Sequence, residues 1–520
     1  MNATRVILGL VLALVLGVPL ALRPKDPGAQ RRPGEATLVI VTPHVPQIQR
    51  EFSQGFSRWH QAKYGEPVFI DWRTPGGTTE IRQILESHFI SVAKAGAFDF
   101  SNPANPTCKP GSTSYDMMFG GGSYEFGKLK RGIKVDLPGP DGTLVERTIP
   151  MAAALDFSQA QLDAWFGENK IGTQQLYDPQ QHWFGVALSS FGVVFNRDEL
   201  AKAGMKEITS FQDLADPRMF GKVSLADPRQ SGSVATSLDA LLSAEGWEKG
   251  WRLLREISAN ARYFTNSAPK PPIDVSFGEA AAGFAIDFYG RGQAQAVAKP
   301  GEDPLTCRVG YVDPPGSVYV DADPVSVLRG CPHPELAKRF VEYCLSEEAQ
   351  ALWQFHATSS PKGASNPPGF DGKPMGPADY ELRRMPVRRV MYEKYERAMV
   401  DRLAPFEAAS KAKPAGWREG LGIMMGAFGV DTGREVREAW KALIRARAGG
   451  AGADKIQEME ALFYAFPETI TTEGEKLAFT PENFAKIAAI WKQPKLRGQC
   501  EIQYTRYFAD NYRRVIEMGR

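Results

Sequence analysis

The sequence predicts an α/β protein: a parallel sheet with helices on its faces, a second αβ set after it, and a mainly helical C-terminal region. Three observations predict this. Short apolar runs alternate with stretches of helical periodicity from residue 36 to 122, and the alternation resumes from 183 to 289. A Gly/Pro/Ser-rich stretch at 357–377 then precedes a run dominated by helical spacing. The 520 residues are 43% hydrophobic and 23% charged, which excludes a polytopic membrane protein, a fibre and a largely disordered chain. Sixty-two Lys+Arg against 60 Asp+Glu leave +2, too balanced for a nucleic-acid binder working through bulk electrostatics.

Arg5 precedes an apolar run over 6–22, and a polar, Pro-rich linker follows it. This pattern predicts export, with the run either cleaved or kept as an inner-membrane anchor, and so a periplasmic or extracytoplasmic location. The next strand is predicted at 37–41, followed by a helix carrying Ile48, Phe52, Phe56 and Trp59 at helical spacing. A strand at 67–72, a helix at 80–88, a loop at 98–114 and a strand at 116–119 come next. The second set has an extended run at 183–195, strands at 222–226 and 281–288, and helices to 243 and over 247–260. One long amphipathic helix is predicted for 335–355. Further helices are predicted at 379–400, 416–428, 434–447, 455–465, 481–491 and 507–518, expected to wrap one lobe rather than form an independent site.

Five cysteines, at 108, 307, 331, 344 and 500, are too few for a disulfide framework. Cys307 and Cys331 are compatible with a bridge, but spacing does not establish one. Phosphate-loop, HExxH, DxDxDG and GxSxG signatures are absent, and the six histidines do not cluster at metal-ligand spacing. What recurs is small polar residues where strands end and helices begin: Thr42-Pro43-His44, Gly76-Gly77-Thr78-Thr79, Gly120-Gly121-Gly122-Ser123 and Ser231-Gly232-Ser233. Ligands of open parallel sheets bind beyond the carboxyl ends of the strands, and helix N-termini suit anions. Each such turn alone is more often a cap than a site; four in equivalent places point to binding.

The segments LVIVTPH, PGGTTEI, YDMMFGGGS, HWFGVALSSFGVVFNRDEL, FQDLADPRMFGKVSLADPRQSGS, AGFAIDFYG and PELAKRFVEYCLSEEAQALW occur in an order that resembles a known family. It is the bacterial extracellular solute-binding proteins of ABC importers, in the ferric-iron/phosphonate/polyamine-like branch with the type 2 periplasmic-binding fold. The resemblance covers residues 36–356. It implies two lobes, each an open mixed sheet flanked by helices, with a hinge between them. Lobe 1 would take 36–154 and 306–400, and lobe 2 would take 155–305, with crossovers near 183–195 and 309–327. Residues 1–35 would be the export signal or anchor with its linker, and 401–520 a helical C-terminal extension.

The implied function is capture of a small anionic solute, a phosphonate, phosphate ester or carboxylate, in the interlobe cleft. The loaded form would be presented to an ABC permease and its ATPase. The resemblance implies no enzyme activity, no cofactor and no nucleic-acid partner. The expected ligand-binding residues are Thr42, His44, Gly77, Thr78, Gly121, Gly122, Ser123, Ser189, Ser190, Arg229, Ser231, Gly232, Ser233, Asp287 and Tyr289. Arg229, among serines at a helix start, is the expected anion clamp. Ferric-binding members use two adjacent tyrosines after the strand that 282–286 resembles, whereas this chain has only Tyr289 in Asp287-Phe288-Tyr289. A ferric alternative would rest on His44, Asp287 and Tyr289, a weak set for an ion that wants several anionic oxygens. Two readings of another class are a membrane-anchored sensor or scaffold, and an exported hydrolase using Asp287, His44 and Ser189 on the same scaffold.

Overall fold

A computed structural model describes residue 31 and residues 34–520, apart from 104, 140–141, 300–301, 303–305, 315–317, 402, 410–412, 414 and the side chains of Ser233 and Ala408. The predicted export run at 6–22 lies outside the described residues. Ten strands make the main sheet. In chain order they are β1 (Ala36–Val41), β2 (Val68–Arg73), β3 (Met117–Phe119), β4 (Phe184–Asn196), β5 (Val223–Ala226), β6 (Ala261–Thr265), β7 (Ala282–Ile286), β8 (Val309–Val312), β9 (Val320–Val327) and β10 (Met385–Pro386). The spatial order is β6-β5-β7-β4-β9-β3-β1-β2, with β8 and β10 also pairing β4.

The strands β2-β1-β3 are parallel, and so are β6-β5-β7. Strand β4 joins these two sets. Its first part, Phe184 to Ser190, pairs antiparallel with β9, and Phe191 to Phe195 pair antiparallel with β7. All 13 residues of β4 are buried, which explains its almost unbroken apolar sequence. The fold is thus a two-lobe α/β architecture with a helical C-terminal region.

Period-2 alternation divides the first lobe's core between the faces of its sheet. Leu38, Ile40, Met117 and Phe119 face helices α1 (Pro46–Tyr64), α7 (Pro334–Cys344) and α8 (Glu347–Gln354), while Val41 and Met118 face α2 (Thr78–Lys94) and α3 (Ser123–Arg131). The second lobe packs β5, β6 and β7 against α4 (Gly232–Glu245) and α5 (Trp247–Asn260), with α6 (Asp287–Val297) following β7.

The C-terminal region belongs to the second lobe's core. A π-helix at Leu421–Val430 packs against α9 (Gly433–Ala448) and α12 (Pro494–Met518), and α10 (Ala453–Tyr464) and α11 (Pro481–Trp491) pack on α12. Met424, Met425, Phe428, Trp440, Phe463 and Trp491 share one cluster with Leu225, Leu254 and Phe284. Trp440 Nε1 donates to Asn260 Oδ1 at 2.9 Å, and Asn260 Nδ2 donates to the carbonyls of Leu214 and Asp216. One hydrogen-bond chain therefore crosses the seam.

Several expectations are corrected. The single helix at 335–355 is two, because Ser346 Oγ caps a new helix by accepting from Ala349 N. The helix at 379–400 is mostly irregular: β10 lies at Pro386, where a helix would lose a hydrogen bond, and the helical part is Arg389–Tyr395 with a 3-10 turn at Glu396–Ala398. The last helix begins at Pro494, not 507, and Ile133–Pro138 pairs antiparallel with Leu144–Ile149. Cys307 and Cys331 are buried in different clusters and are not joined by a disulfide. No helix among the described residues is long and apolar enough to cross a membrane.

Because the second lobe and the C-terminal helices bury one another, a chain ending at residue 400 is expected to bind a hydrophobic dye strongly and to melt roughly 10 °C or more below the full chain. In the full chain Trp440→Ala should cost about 3–5 kcal/mol in a denaturant titration. A truncated chain that melts cooperatively at the full-length temperature would show the C-terminal region to be a separate domain.

Candidate ligand-binding site

The largest convergence of strand ends encloses a cavity of about 310 Å³ between the lobes. From the first lobe it takes Pro43 and His44 after β1, Gly76 to Thr78 after β2, and Gly121 and Gly122 after β3. From the second it takes Gln230 and Ser231 after β5, Asn266 to Pro269 after β6, and Ile286, Phe288 and Tyr289 after β7. The antiparallel strands supply the floor: Ser189 and Phe191 from β4, and Asp321 and Asp323 from β9. Arg384, just before β10, completes it.

Glycine is required where β3 turns into α3. Gly120 and Gly121 have φ of +94° and +113°, and a Cβ on Gly120 would meet the His44 ring at 2.4 Å. The turn sends Gly121 N to Asp323 Oδ1 at 2.7 Å and Ser123 N to Asp321 Oδ2 at 3.0 Å. Helices α2, α3, α4 and α6 all begin at the cavity, with N-caps Gly77, Gly122, Ser231 and Ile286. Of these caps only Ser231 accepts a helix amide through its own side chain, from Val234 N. The lobes meet closely here: a Cβ on Gly77 would lie 2.7 Å from the Gln230 carbonyl.

Arg384 organises the floor. Its guanidinium is 1% exposed, lies 4.2 Å from the centre of the Phe288 ring, forms an ion pair with Asp323, and donates to Ser189 Oγ at 2.6 Å and to His44 Nε2 at 2.9 Å. Arginine only donates, so His44 Nε2 accepts and the ring proton sits on Nδ1, which has no partner among the described residues. A neutral His44 agrees with its burial, which pulls the imidazole below its ordinary value despite Asp323. Burial would raise the Asp323 carboxyl, but the Arg384 guanidinium outweighs it and holds it below its ordinary value. Asp321 lacks such a cation. Burial pushes it up to about 6 against the pull of the Ser123 N–H, and Oδ1 has no partner among the described residues.

Of the residues expected from sequence, His44, Gly77, Thr78, Gly121, Gly122, Ser189, Ser231 and Tyr289 line this cavity. Thr42 stands behind it, its Oγ1 accepting from His44 N at 3.1 Å. Ser123 reaches it only through its bond to Asp321, and the Gly232 carbonyl is taken by Arg418 Nη2 at 2.8 Å. Ser190 N donates to Asp287, whose carboxylate pairs with Arg291 at 3.1 Å, so both turn away from the cavity. Burial pushes the Asp287 carboxyl up to about 7 although Arg291 opposes it. Arg229 is not at the cavity. It lies across Gly422 and Gly426 of the π-helix and pairs with Asp227 at 2.7 Å and Asp431 at 3.1 Å. The side chain of Ser233 lies outside the described residues. Sequence reasoning missed Asn266, Asp321, Asp323 and Arg384; two acids two residues apart on an apolar strand share one face, a signal available for Asp321 and Asp323.

His44 and Tyr289 reach the cavity without Asp287, and burial raises the Tyr289 phenol. Among the described residues no group of three or more His, Cys, Asp or Glu is placed to hold a metal ion. Outside the cavity, Arg418 stacks 4.1 Å from the Tyr124 ring and donates to Thr236, while Lys128 of α3 pairs with Glu419 at 3.6 Å.

The Asp321 shift has a definite sign in stability. A carboxyl whose folded value is raised costs nothing below the ordinary value of 3.8 and destabilises progressively as pH rises through about 6. Asp321→Asn should therefore gain stability on the wild type between pH 4.5 and 7.5, by up to about 3 kcal/mol, in paired denaturant titrations. A difference independent of pH would mean that Asp321 titrates normally.

Part of the chain is similar to known proteins. A family model described as "Bacterial extracellular solute-binding protein" matches residues 154–374. An uncharacterized Haemophilus influenzae protein is 28% identical over 221 residues, 40% of this chain and 60% of that protein. The Salmonella typhimurium "Phosphoglycerate transport regulatory protein PgtC" is 27% identical over 237 residues, 44% of this chain and 56% of that one. The chain thus spans about three-fifths of the length of these curated relatives. Among solved structures, iron-bound HitA from Pseudomonas aeruginosa aligns with a TM-score of 0.47 at 16% identity, over 74% of this chain and 98% of that one. AfuA from Actinobacillus pleuropneumoniae, with fructose-6-phosphate bound, aligns with a TM-score of 0.44 at 16% identity, over 76% and 98%. Over residues 154–374, the chain is similar to the bacterial extracellular solute-binding protein family.

Proposed function

We propose that this protein is the extracytoplasmic receptor of an ABC importer and captures a small anion that also carries hydroxyl groups. The observation that carries the reading is the convergence of four helix N-termini on one interlobe cavity. Helix starts offer amide donors and partial positive charge to an anionic group. Asp321 and Asp323 on the same wall favour ligand groups that donate, such as hydroxyls, over a bare polyanion. A phosphate ester or carboxylate of a polyol or hydroxy acid answers both demands, and the relative named for phosphoglycerate transport supports that class. Arg384 holds the floor in register rather than meeting the anion alone, since three protein groups already occupy it.

In this reading the lobes divide near β4 and β9, and hinge closure traps the ligand without chemistry on it. Its partners are a membrane permease and the ATPase that powers it, and the predicted N-terminal run keeps the receptor at the membrane if it is not cleaved. The ferric alternative retains His44 and Tyr289 on the wall but sets Arg384 beside His44, where a cation would be repelled. A regulatory role has one specific support, the word "regulatory" in the name of the PgtC relative. In that case the same capture would be read by a signalling partner.

The test is calorimetry with 3-phosphoglycerate, sugar phosphates, phosphate and ferric citrate on the purified chain. A hydroxylated phosphate or carboxylate should bind one to one and raise the Tm by mass action. Arg384→Met should lower that affinity by at least about tenfold while leaving Asp323 buried without its cation, at a stability cost of about 3–5 kcal/mol. Binding of ferric citrate alone, with colour, would replace the anion reading by iron, and no binding across the panel would overturn solute capture.

A further inference from the structure

A second cavity, of about 760 Å³, lies at the seam between α5 and the C-terminal helices, apart from the interlobe site. Trp247, Trp251, Phe466 and Phe479 form its walls, and Arg255 lines it. Arg255 is fully buried and stacked among Phe428, Phe466 and Phe508, with ring centres 4.4–4.8 Å from its guanidinium carbon. Its Nη1 donates to the carbonyls of Phe463 at 2.6 Å and Ala465 at 3.0 Å. Its Nε and Nη2 have no partner among the described residues, and neither does Trp251 Nε1 beside it.

A guanidinium is charged at any physiological pH, and burying it without a counter-charge is costly. No carboxylate faces this one. The groups that act on it electrostatically are Tyr464, Tyr507 and Tyr512, and burial pulls it below its ordinary value. Aromatic faces offset part of the cost, but Nε and Nη2 stay buried without a partner among the described residues. These two form the fork onto which a carboxylate docks with two parallel hydrogen bonds.

The other charges of the lining are satisfied or turned to solvent. Arg252 pairs with Glu256 at 3.2 Å and lies over the Tyr464 ring, Glu245 accepts from Gln212 at 2.6 Å, and Glu248, Lys249 and Glu482 are exposed. The cavity therefore offers a single uncompensated positive charge in an aromatic box, with acids at the rim that disfavour a second negative charge on a ligand.

We propose that this seam is a second ligand site, taking a monocarboxylate borne on an aromatic or apolar body. The carboxylate pairs with Nε and Nη2 of Arg255, the indole N–H of Trp251 donates to a remaining lone pair, and the body packs against the wall that Trp247 and Phe479 form together. The site does not depend on the identity of the interlobe ligand.

The test uses the full chain and three probes: 3-phenylpropionate, its amide and inorganic phosphate. In calorimetry and thermal shift, the acid should bind saturably at one site and raise the Tm. The amide should bind at least tenfold more weakly and phosphate should have no effect at this site. Arg255→Met should bring acid and amide to the same weak affinity, with a ligand-free Tm equal to or above that of the wild type. Trp251→Phe, which keeps the aromatic wall, should weaken the acid several-fold and leave the amide unchanged. If Arg255→Met does not fold, the wild-type acid-to-amide ratio and Trp251→Phe decide. Equal binding of acid and amide, unchanged acid binding in Arg255→Met, or no saturable binding of the acid would each overturn the proposal.

Discussion

Strand β4 is the constraint on which both lobes depend. One half of it pairs with the floor strand β9 and the other with β7, and all of its residues are buried. Any relative movement of the lobes must therefore bend or twist a continuous, fully bonded strand, not swing on a loose linker. The cavity sits against its middle, at Ser189 and Phe191, where the pairing changes hands. A ligand there is read by both lobes through the element that joins them.

The floor shows how a cleft can be charged and still close. Asp323 and Arg384 are both nearly inaccessible, and each has several polar neighbours besides the other. A pair of this kind contributes little net stability against an apolar replacement, but removing one member leaves the other stranded. Its value lies in geometry: it fixes the His44 tautomer, steadies the glycine turn at Gly121 and leaves Asp321 as the less satisfied acid of the floor. The site is thus tuned by contrast between two acids on the same strand face.

Much of this was legible in the sequence, for an identifiable reason. The strand-end turns at His44, Gly77 and Gly121 are local features, and the sheet's polarity carries each to the same edge. What escaped was non-local. Arg384 sits in a segment whose spacing resembles a helix, and only docking of Met385 and Pro386 against Leu188 and Ala187 brings it to the floor. Arg229 carried the right chemistry at the right turn, but Asp431 engages it from 202 residues away. Helical periodicity located the C-terminal helices α9 to α11 within two residues of their ends. It could not show that their apolar faces complete the second lobe.

Arg418 and Glu419 stand at the start of that C-terminal region, one stacked on Tyr124 and the other paired with Lys128, so the second lobe grips the first from outside the cavity. None of these four residues lines the cavity. In a protein that releases its solute by parting the lobes, such an external clasp contributes to the barrier for parting without entering the contact list of the solute. On the proposed function, residence time and binding specificity are written in different parts of the chain, and evolution can retune how long a solute is held without altering which solute is chosen.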